Sequence, residues 1–268
     1  MVTQYKRILL TGAAGMLGSY LRPRLRTCCD HLRVSDIKAI DQNDDNANDE
    51  IVTCRLEDGP AMIRLVDGVD AIVHLGAACD YDTANALTAL LEPNVVGAYN
   101  LYEAARLHGV KRIVFASSHH VIGRYRQSET IDASAAPRPD SLYAVTKLFG
   151  ENVARLYYDR YQIETVCLRI GSCFAEPTDR RMLATWFSFD DLYRAVAAAL
   201  EAPAVDFSIL FGVSRNKRVF WSNVGVEHLG YVPEDDADNW RAQIDIGASP
   251  IDPDISTWHG GAFGRPED

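Results

Sequence analysis

Thr11-Gly12-Ala13-Ala14-Gly15-Met16-Leu17-Gly18 is the stretch whose reading decides the fold. It follows an apolar, strand-like run, Arg7–Thr11, and leads into a segment with helical spacing, Leu17–Arg26. Gly12 permits a tight turn, Gly15 lets backbone approach a pyrophosphate, and Gly18 lets helix and strand pack closely. The helix N-terminus then faces the anion. Asp36 ends the next strand-like run, eighteen residues past Gly18. A carboxylate there bonds the ribose hydroxyls of NAD and repels a 2′-phosphate. Arg33 and Lys38 flank Asp36, which leaves some tolerance for NADP.

Working outward, branched apolar runs recur at Leu32–Ser35, Ile51–Cys54, Ala71–Leu75, Arg112–Ala116 and Thr165–Ile170. Helical spacing fills Pro60–Val66, Leu91–His108 and Leu142–Tyr161 between them. Continuously apolar strands alternating with helices predict an α/β fold, a Rossmann-type doubly wound parallel sheet. Past Ile170, Ser188 precedes Asp191 by three residues and starts a helix through Ala202. Ser208–Phe211 reads as one more strand, and the last forty residues, with Trp240 and Trp258, as short helices and a tail. The expectation is one Rossmann-type domain over 1–268. About 1–170 form the NAD-binding core, and about 171–268 form a small substrate lobe and tail interleaved with it.

The net charge of −10 argues against a nucleic-acid partner. The acidic stretch Asp41 to Glu50 reads as a solvated loop. No run of eighteen apolar residues predicts a membrane span. Met-Val-Thr-Gln-Tyr-Lys-Arg runs straight into a strand, with no room for a signal peptide, so a cytoplasmic location is expected. Six cysteines, Cys28, Cys29, Cys54, Cys79, Cys167 and Cys173, lack metal spacing and read mostly as buried thiols. No metal is expected.

Ser141-Leu142-Tyr143-Ala144-Val145-Thr146-Lys147 opens the long helix and sets Tyr143 and Lys147 one turn apart on one face. A phenol with a pKa near 10 is a poor base, but a neighbouring ammonium and a nicotinium favour the phenolate. Phe115-Ala116-Ser117-Ser118-His119-His120 ends a strand, where ligands sit in open α/β sheets, so Ser118 is placed to hold a substrate oxygen.

The glycine turn, Asp36, His74-Leu75-Gly76-Ala77-Ala78, Asn94-Val95-Val96-Gly97, Ser117-Ser118 and Tyr143-x-x-x-Lys147 together resemble the extended short-chain dehydrogenase/reductase superfamily over residues 5–175. That resemblance implies a catalytic set of Ser118, Tyr143 and Lys147. It also implies NAD contacts at Gly12, Ala14, Gly15, Met16, Leu17, Gly18, Asp36, Ile37, Leu56, Leu75, Gly76, Ala77, Asn94, Tyr143, Lys147 and Ile170. Further stretches look specifically like the bacterial uronate dehydrogenases. They are Asn100–Arg106, Arg112–Ser118, Phe149-Gly150-Glu151-Asn152, Arg169–Cys173, Arg181–Ser188 and Gly260-Gly261-x-Phe263.

This narrower likeness implies oxidation of the anomeric carbon of galacturonate or glucuronate to an aldarolactone. The substrate contacts would be Cys79, Ser118, His119, His120, Tyr143, Ser172 and Arg181. Arg181 suits a bidentate grip on a carboxylate, with Arg180 beside it able to share the role. The departures are His119 where that family carries asparagine, Cys79 where it carries serine, a longer loop over Asp80–Pro93, and Arg55 where it carries the aspartate of an Asp-Leu pair. Three alternatives remain at this point. They are a dehydrogenase of another anionic sugar such as a hexose 6-phosphate, a nucleotide-sugar epimerase or dehydratase, and a non-catalytic NAD-binding scaffold. A homo-oligomer sealed by Leu91–His108 and Leu142–Tyr161 is expected by analogy alone.

Overall fold

The computed structural model describes residues 5–40, 49–79, 86–247 and 257–264. Seven parallel strands form one sheet. They are β1 Tyr5–Thr11, β2 Cys29–Asp36, β3 Glu50–Thr53, β4 Ala71–His74, β5 Arg112–Ser118, β6 Glu164–Ile170 and β9 Phe207–Gly212. Their order across the sheet is β3-β2-β1-β4-β5-β6-β9. Two-residue strands β7 Ser172–Cys173 and β8 Trp186–Phe187 pair separately. The order reverses between β1 and β4, and ligands of such sheets bind in the crevice at that reversal, beyond the strands' carboxyl ends.

Alternation along the strands explains why helices cover both faces. Ile8 and Leu10 of β1 pack with Val34, Val73 and Val114 under α1 Met16–Leu25 and α7 Phe189–Glu201. Leu9 points the other way, with Ile72, Ile113 and Cys167, under α2 Gly59–Val66, α4 Gly97–His108 and α5 Leu142–Tyr161. The remaining helices are α3 Ala86–Leu90, α6 Met182–Thr185 and α8 Arg241–Gly247. α7 starts where the sequence placed it, because the Ser188 side chain accepts the Asp191 N–H at 2.9 Å.

The continuous helix expected over Leu91–His108 is broken. Leu91–Val96 is a π-helical turn, and α4 begins only at Gly97. Pro93 has no N–H to offer the helix. The Asn94 side chain is drawn to the Ala78 backbone, accepting its N–H and donating to its carbonyl, both at 2.8 Å. The wide turn is what lets Asn94 reach Ala78.

The acidic stretch is also not solvent-facing throughout. Residues 41–48 lie outside the described residues. The Asp49 side chain is buried between Arg22 at 2.6 Å and Arg26 at 2.8 Å, and Glu50 begins β3. Arg33 likewise turns away from the crevice, donating to the carbonyls of Leu65 and Asp67. Its guanidinium also pairs with Glu50 at 2.9 Å. Of the two cations flanking Asp36, only Lys38 lines the cavity. Among the described residues, no helix is long and apolar enough to cross a membrane, and no cluster of His, Cys, Asp or Glu is placed to hold a metal ion.

Candidate active site

The glycine turn is shaped as the sequence requires at two positions. Gly12 has φ of 71°, and a Cβ there would lie 2.7 Å from the Gly76 amide nitrogen. A Cβ on Gly18 would lie 2.1 Å from the Gly12 carbonyl oxygen. Gly15 lines the cavity and forms the N-cap of α1 with no side-chain cap, so the first N–H groups of α1 are left for an anion. The Asp36 carboxylate is aimed by two backbone donors, Ala14 N–H and Lys38 N–H, each at 3.0 Å. Each of its oxygens keeps a lone pair for a ribose hydroxyl.

Two contiguous cavities meet at Gly12, Gly15, Leu75, Ala77 and Cys79. The outer one, about 800 Å³, is lined by Asp36, Ile37, Lys38, Leu56 and Gly76. The inner one, about 410 Å³, holds Ser118, His119, His120, Tyr143, Lys147, Ile170, Ser172 and Arg181. Met16, Leu17 and Gly18 also line the inner one. A dinucleotide fits this set: a bare helix end for the pyrophosphate, a carboxylate for one ribose, and a buried ammonium at the other end.

Ala14 and Asn94 are absent from the lining. Ala14 acts by holding Asp36. Asn94 is spent on Ala78 and on Thr146 Oγ1, at 3.0 Å. Arg55 pairs with Glu57, Nε to Oε1 2.6 Å, and both line the outer cavity. Glu57 thus brings a carboxylate to the outer cavity already neutralised by Arg55, a pairing that sequence reading did not anticipate.

The long helix brings the inner set together. Ser141 caps α5, accepting the Ala144 N–H at 3.2 Å. Gly150 allows α5 to press on β5, since a Cβ there would meet Phe115 Cζ at 2.2 Å. Lys147 therefore reaches the Ala116 carbonyl at 2.9 Å. Its ammonium lies 5.6 Å from the centre of the Tyr143 ring. Burial lowers the Lys147 pKa to about 8. Ser118 Oγ accepts the His120 N–H at 3.2 Å, which leaves its own proton for a substrate oxygen. Beneath, Ser117 donates to Glu151 at 2.6 Å, and Glu151 holds Arg169 through two bonds of 2.9 and 2.8 Å.

Arg181 enters from the C-terminal side. It donates to Ser172 Oγ at 3.2 Å and to the His259 carbonyl at 3.4 Å. Burial lowers its pKa, and among the described residues no carboxylate pairs with it. Arg180 does not share this place. It pairs with Asp245 at 3.0 Å on the surface.

Two further groups stand against His120: Asp140, which carried no sequence signal, and the tail, marked in the sequence by Gly260-Gly261-x-Phe263. Asp140, its side chain fully buried, accepts from His120 Nδ1 at 2.7 Å. The tail folds back through Gly260 N–H to the Gly123 carbonyl at 2.9 Å, and Phe263 stands edge-on to His120 at 5.4 Å. Cys79 is exposed, unlike Cys29, Cys54, Cys167 and Cys173.

Residues 8–189 match the NAD dependent epimerase/dehydratase family. The uronate dehydrogenase of Pseudomonas putida is 48% identical over 262 residues, 97% of this chain and 96% of that protein. The chain belongs to that family, among its uronate dehydrogenases. The crystal structure of a glucuronic acid dehydrogenase from Chromohalobacter salexigens superposes with a TM-score of 0.92 at 45% identity, covering 97% of each chain. A mutant uronate dehydrogenase from Agrobacterium tumefaciens, complexed with NAD, superposes with a TM-score of 0.92 at 42% identity, covering 97% of this chain and 98% of the other.

Lys147 predicts an opposition between stability and activity. The unfolded chain keeps the lysine proton up to its ordinary 10.5, whereas the native protein releases it at about 8. Between those values the unfolded state binds more protons, so raising the pH should favour the native state. Below about 8 the buried charge is a cost. Lys147→Met should therefore raise the melting temperature of the cofactor-free protein at pH 7 by a few degrees and narrow the pH dependence above 8. Turnover should fall by about a hundredfold or more. Calorimetry and a rate assay read the two effects.

Proposed function

We propose that this protein oxidises the anomeric carbon of a hexuronic acid, of the galacturonate or glucuronate type, to an aldarolactone with NAD. The observation that carries this reading is Arg181: a nearly buried guanidinium without a carboxylate partner among the described residues, in the same cavity as Ser118, Tyr143 and Lys147. Desolvation of a guanidinium is offset when an anion pairs with it, and in this reading the substrate's carboxylate is that anion.

The roles follow from chemistry. Tyr143, as phenolate, takes the proton of the C1 hydroxyl. Ser118 donates to the same oxygen and fixes its position. Lys147 stabilises the phenolate and bonds the ribose next to it. Ser172 and Arg181 hold the carboxylate, so that C1 faces the cofactor side of the cavity. Bound NAD supplies the acceptor for the hydrogen and electron pair of the C1–H bond.

A single guanidinium suits a singly charged carboxylate better than a phosphate dianion. With Arg180 tied to Asp245, the hexose 6-phosphate alternative loses its second cation. α4 and α5 leave Tyr99, Leu107, Val145 and Leu156 about half exposed. In this reading they form the seam of the expected homo-oligomer.

The test mixes protein, NAD and candidate sugars and follows absorbance of the reduced cofactor. Turnover of a uronate, with lactone identified in the product, is the expected result. Protein that binds NAD but turns over no uronate at neutral to alkaline pH would overturn the proposal.

A further inference from the structure

His119 opens the short turn after β5, is 4% exposed, and lines the inner cavity next to Arg181. Its two ring nitrogens have partners of opposite character. Nδ1 lies 2.9 Å from the Ile170 carbonyl oxygen, which can only accept. Nε2 lies 3.5 Å from Arg181 Nη1, which can only donate. Both partners demand the same tautomer, with the proton on Nδ1 and a lone pair on Nε2. Burial, His120 and Arg181 all hold the ring neutral. The ring is packed between His120 at 4.2 Å and Trp221 at 5.3 Å, centre to centre, so its plane is held. A fixed, neutral Nε2 can accept a hydrogen bond and cannot donate one to a carboxylate.

We infer that His119 is a specificity-determining residue that reads the C4 hydroxyl of the sugar acid. This rests on the proposed uronate function. In a pyranose uronate the carboxylate-bearing carbon is flanked by the ring oxygen and by the C4 hydroxyl. The ring oxygen only accepts, so it is mismatched to another acceptor. The C1 hydroxyl is taken by Tyr143 and Ser118. The C4 hydroxyl is the remaining donor beside the carboxylate. When the carboxylate draws Arg181 Nη1 onto itself, the long contact to Nε2 is released and the hydroxyl proton takes its place. The configuration at C4 decides whether that proton reaches the lone pair, so His119 sets the preference between C4 epimers.

The experiment measures kcat/KM with NAD for glucuronate, galacturonate and a 4-deoxy hexuronate. In the native protein the 4-deoxy sugar should be about 10- to 100-fold poorer than the preferred epimer, the usual cost of leaving a buried acceptor unmet. In His119→Ala the 4-deoxy sugar and both epimers should fall within about threefold of one another. His119→Asn, whose amide oxygen also accepts, should restore part of the discrimination. A purely structural histidine would lower all three substrates together and leave their ratios alone. A native protein that treats the 4-deoxy sugar within about threefold of its parent overturns the inference without any variant. So do unchanged ratios in a His119→Ala protein that still binds NAD. Absence of turnover with every uronate overturns the underlying function instead, so the two failures are distinguishable.

Discussion

Tyr143→Phe is expected to lower kcat with a uronate by about a thousandfold or more, while NAD affinity stays within a few-fold of the native value. The phenyl ring keeps the packing of the α5 N-terminus, because the cap comes from Ser141 and the helix is held against β5 at Gly150. What is removed is the oxygen that takes the C1 proton in the proposed mechanism. Lys147 still donates to the Ala116 carbonyl and still lines the inner cavity. Fluorescence titration with NADH separates the binding from the rate. A variant that retains a tenth of the native kcat would show that another group, with His120 the first candidate, acts as base.

Arg181→Ala should reduce kcat/KM for a uronate by about 30- to 5,000-fold, the range for removing one partner of a buried hydrogen-bonded charge pair. Most of the loss should appear in KM, since the carboxylate is bound alike before and during the reaction. The variant should also lose its preference for a uronate over the corresponding neutral aldose, which no general defect would produce. Arg181→Lys keeps the charge but not the planar fork that serves Ser172, the His259 carbonyl and a carboxylate together. It should lie between the native protein and the alanine variant. Equal selectivity in the native protein and the alanine variant would remove Arg181 from the substrate site.

The NAD half of the site was legible because its requirements are local. A left-handed backbone at Gly12 and a close approach at Gly18 can be met only by glycine. Spacing then placed Asp36 at the end of the neighbouring strand. Tyr143 and Lys147 were legible for the same reason, being one helical turn apart. Their partner Ser118 follows from its place at the carboxyl end of β5.

The sugar half was only partly legible. Neighbouring residues of one chemistry, Arg180 and Arg181, diverge to a surface ion pair and a buried site, which depends on where α8 presents Asp245. Glu57 beside Arg55, Asp140 beneath His120 and the His259 carbonyl against Arg181 are also contacts that no motif announces. Asn94 shows the converse. The family resemblance implied a ligand contact there, and the structure shows its amide bracing the backbone at Ala78.

By itself, then, the sequence determined the sheet's strand–helix alternation, the dinucleotide turn, the ribose carboxylate and the Ser–Tyr–Lys set. The first three rest on backbone sterics and residue spacing within neighbouring elements, and the Ser–Tyr–Lys set on the resemblance to the short-chain dehydrogenase/reductase superfamily. The tertiary structure decided that Arg181 and not Arg180 enters the inner cavity, which groups face the two ring nitrogens of His119, and that the chain's tail folds back against Gly123 and His120. Those outcomes are fixed by burial and by hydrogen bonds between segments far apart in the chain, whose pairing no local spacing encodes.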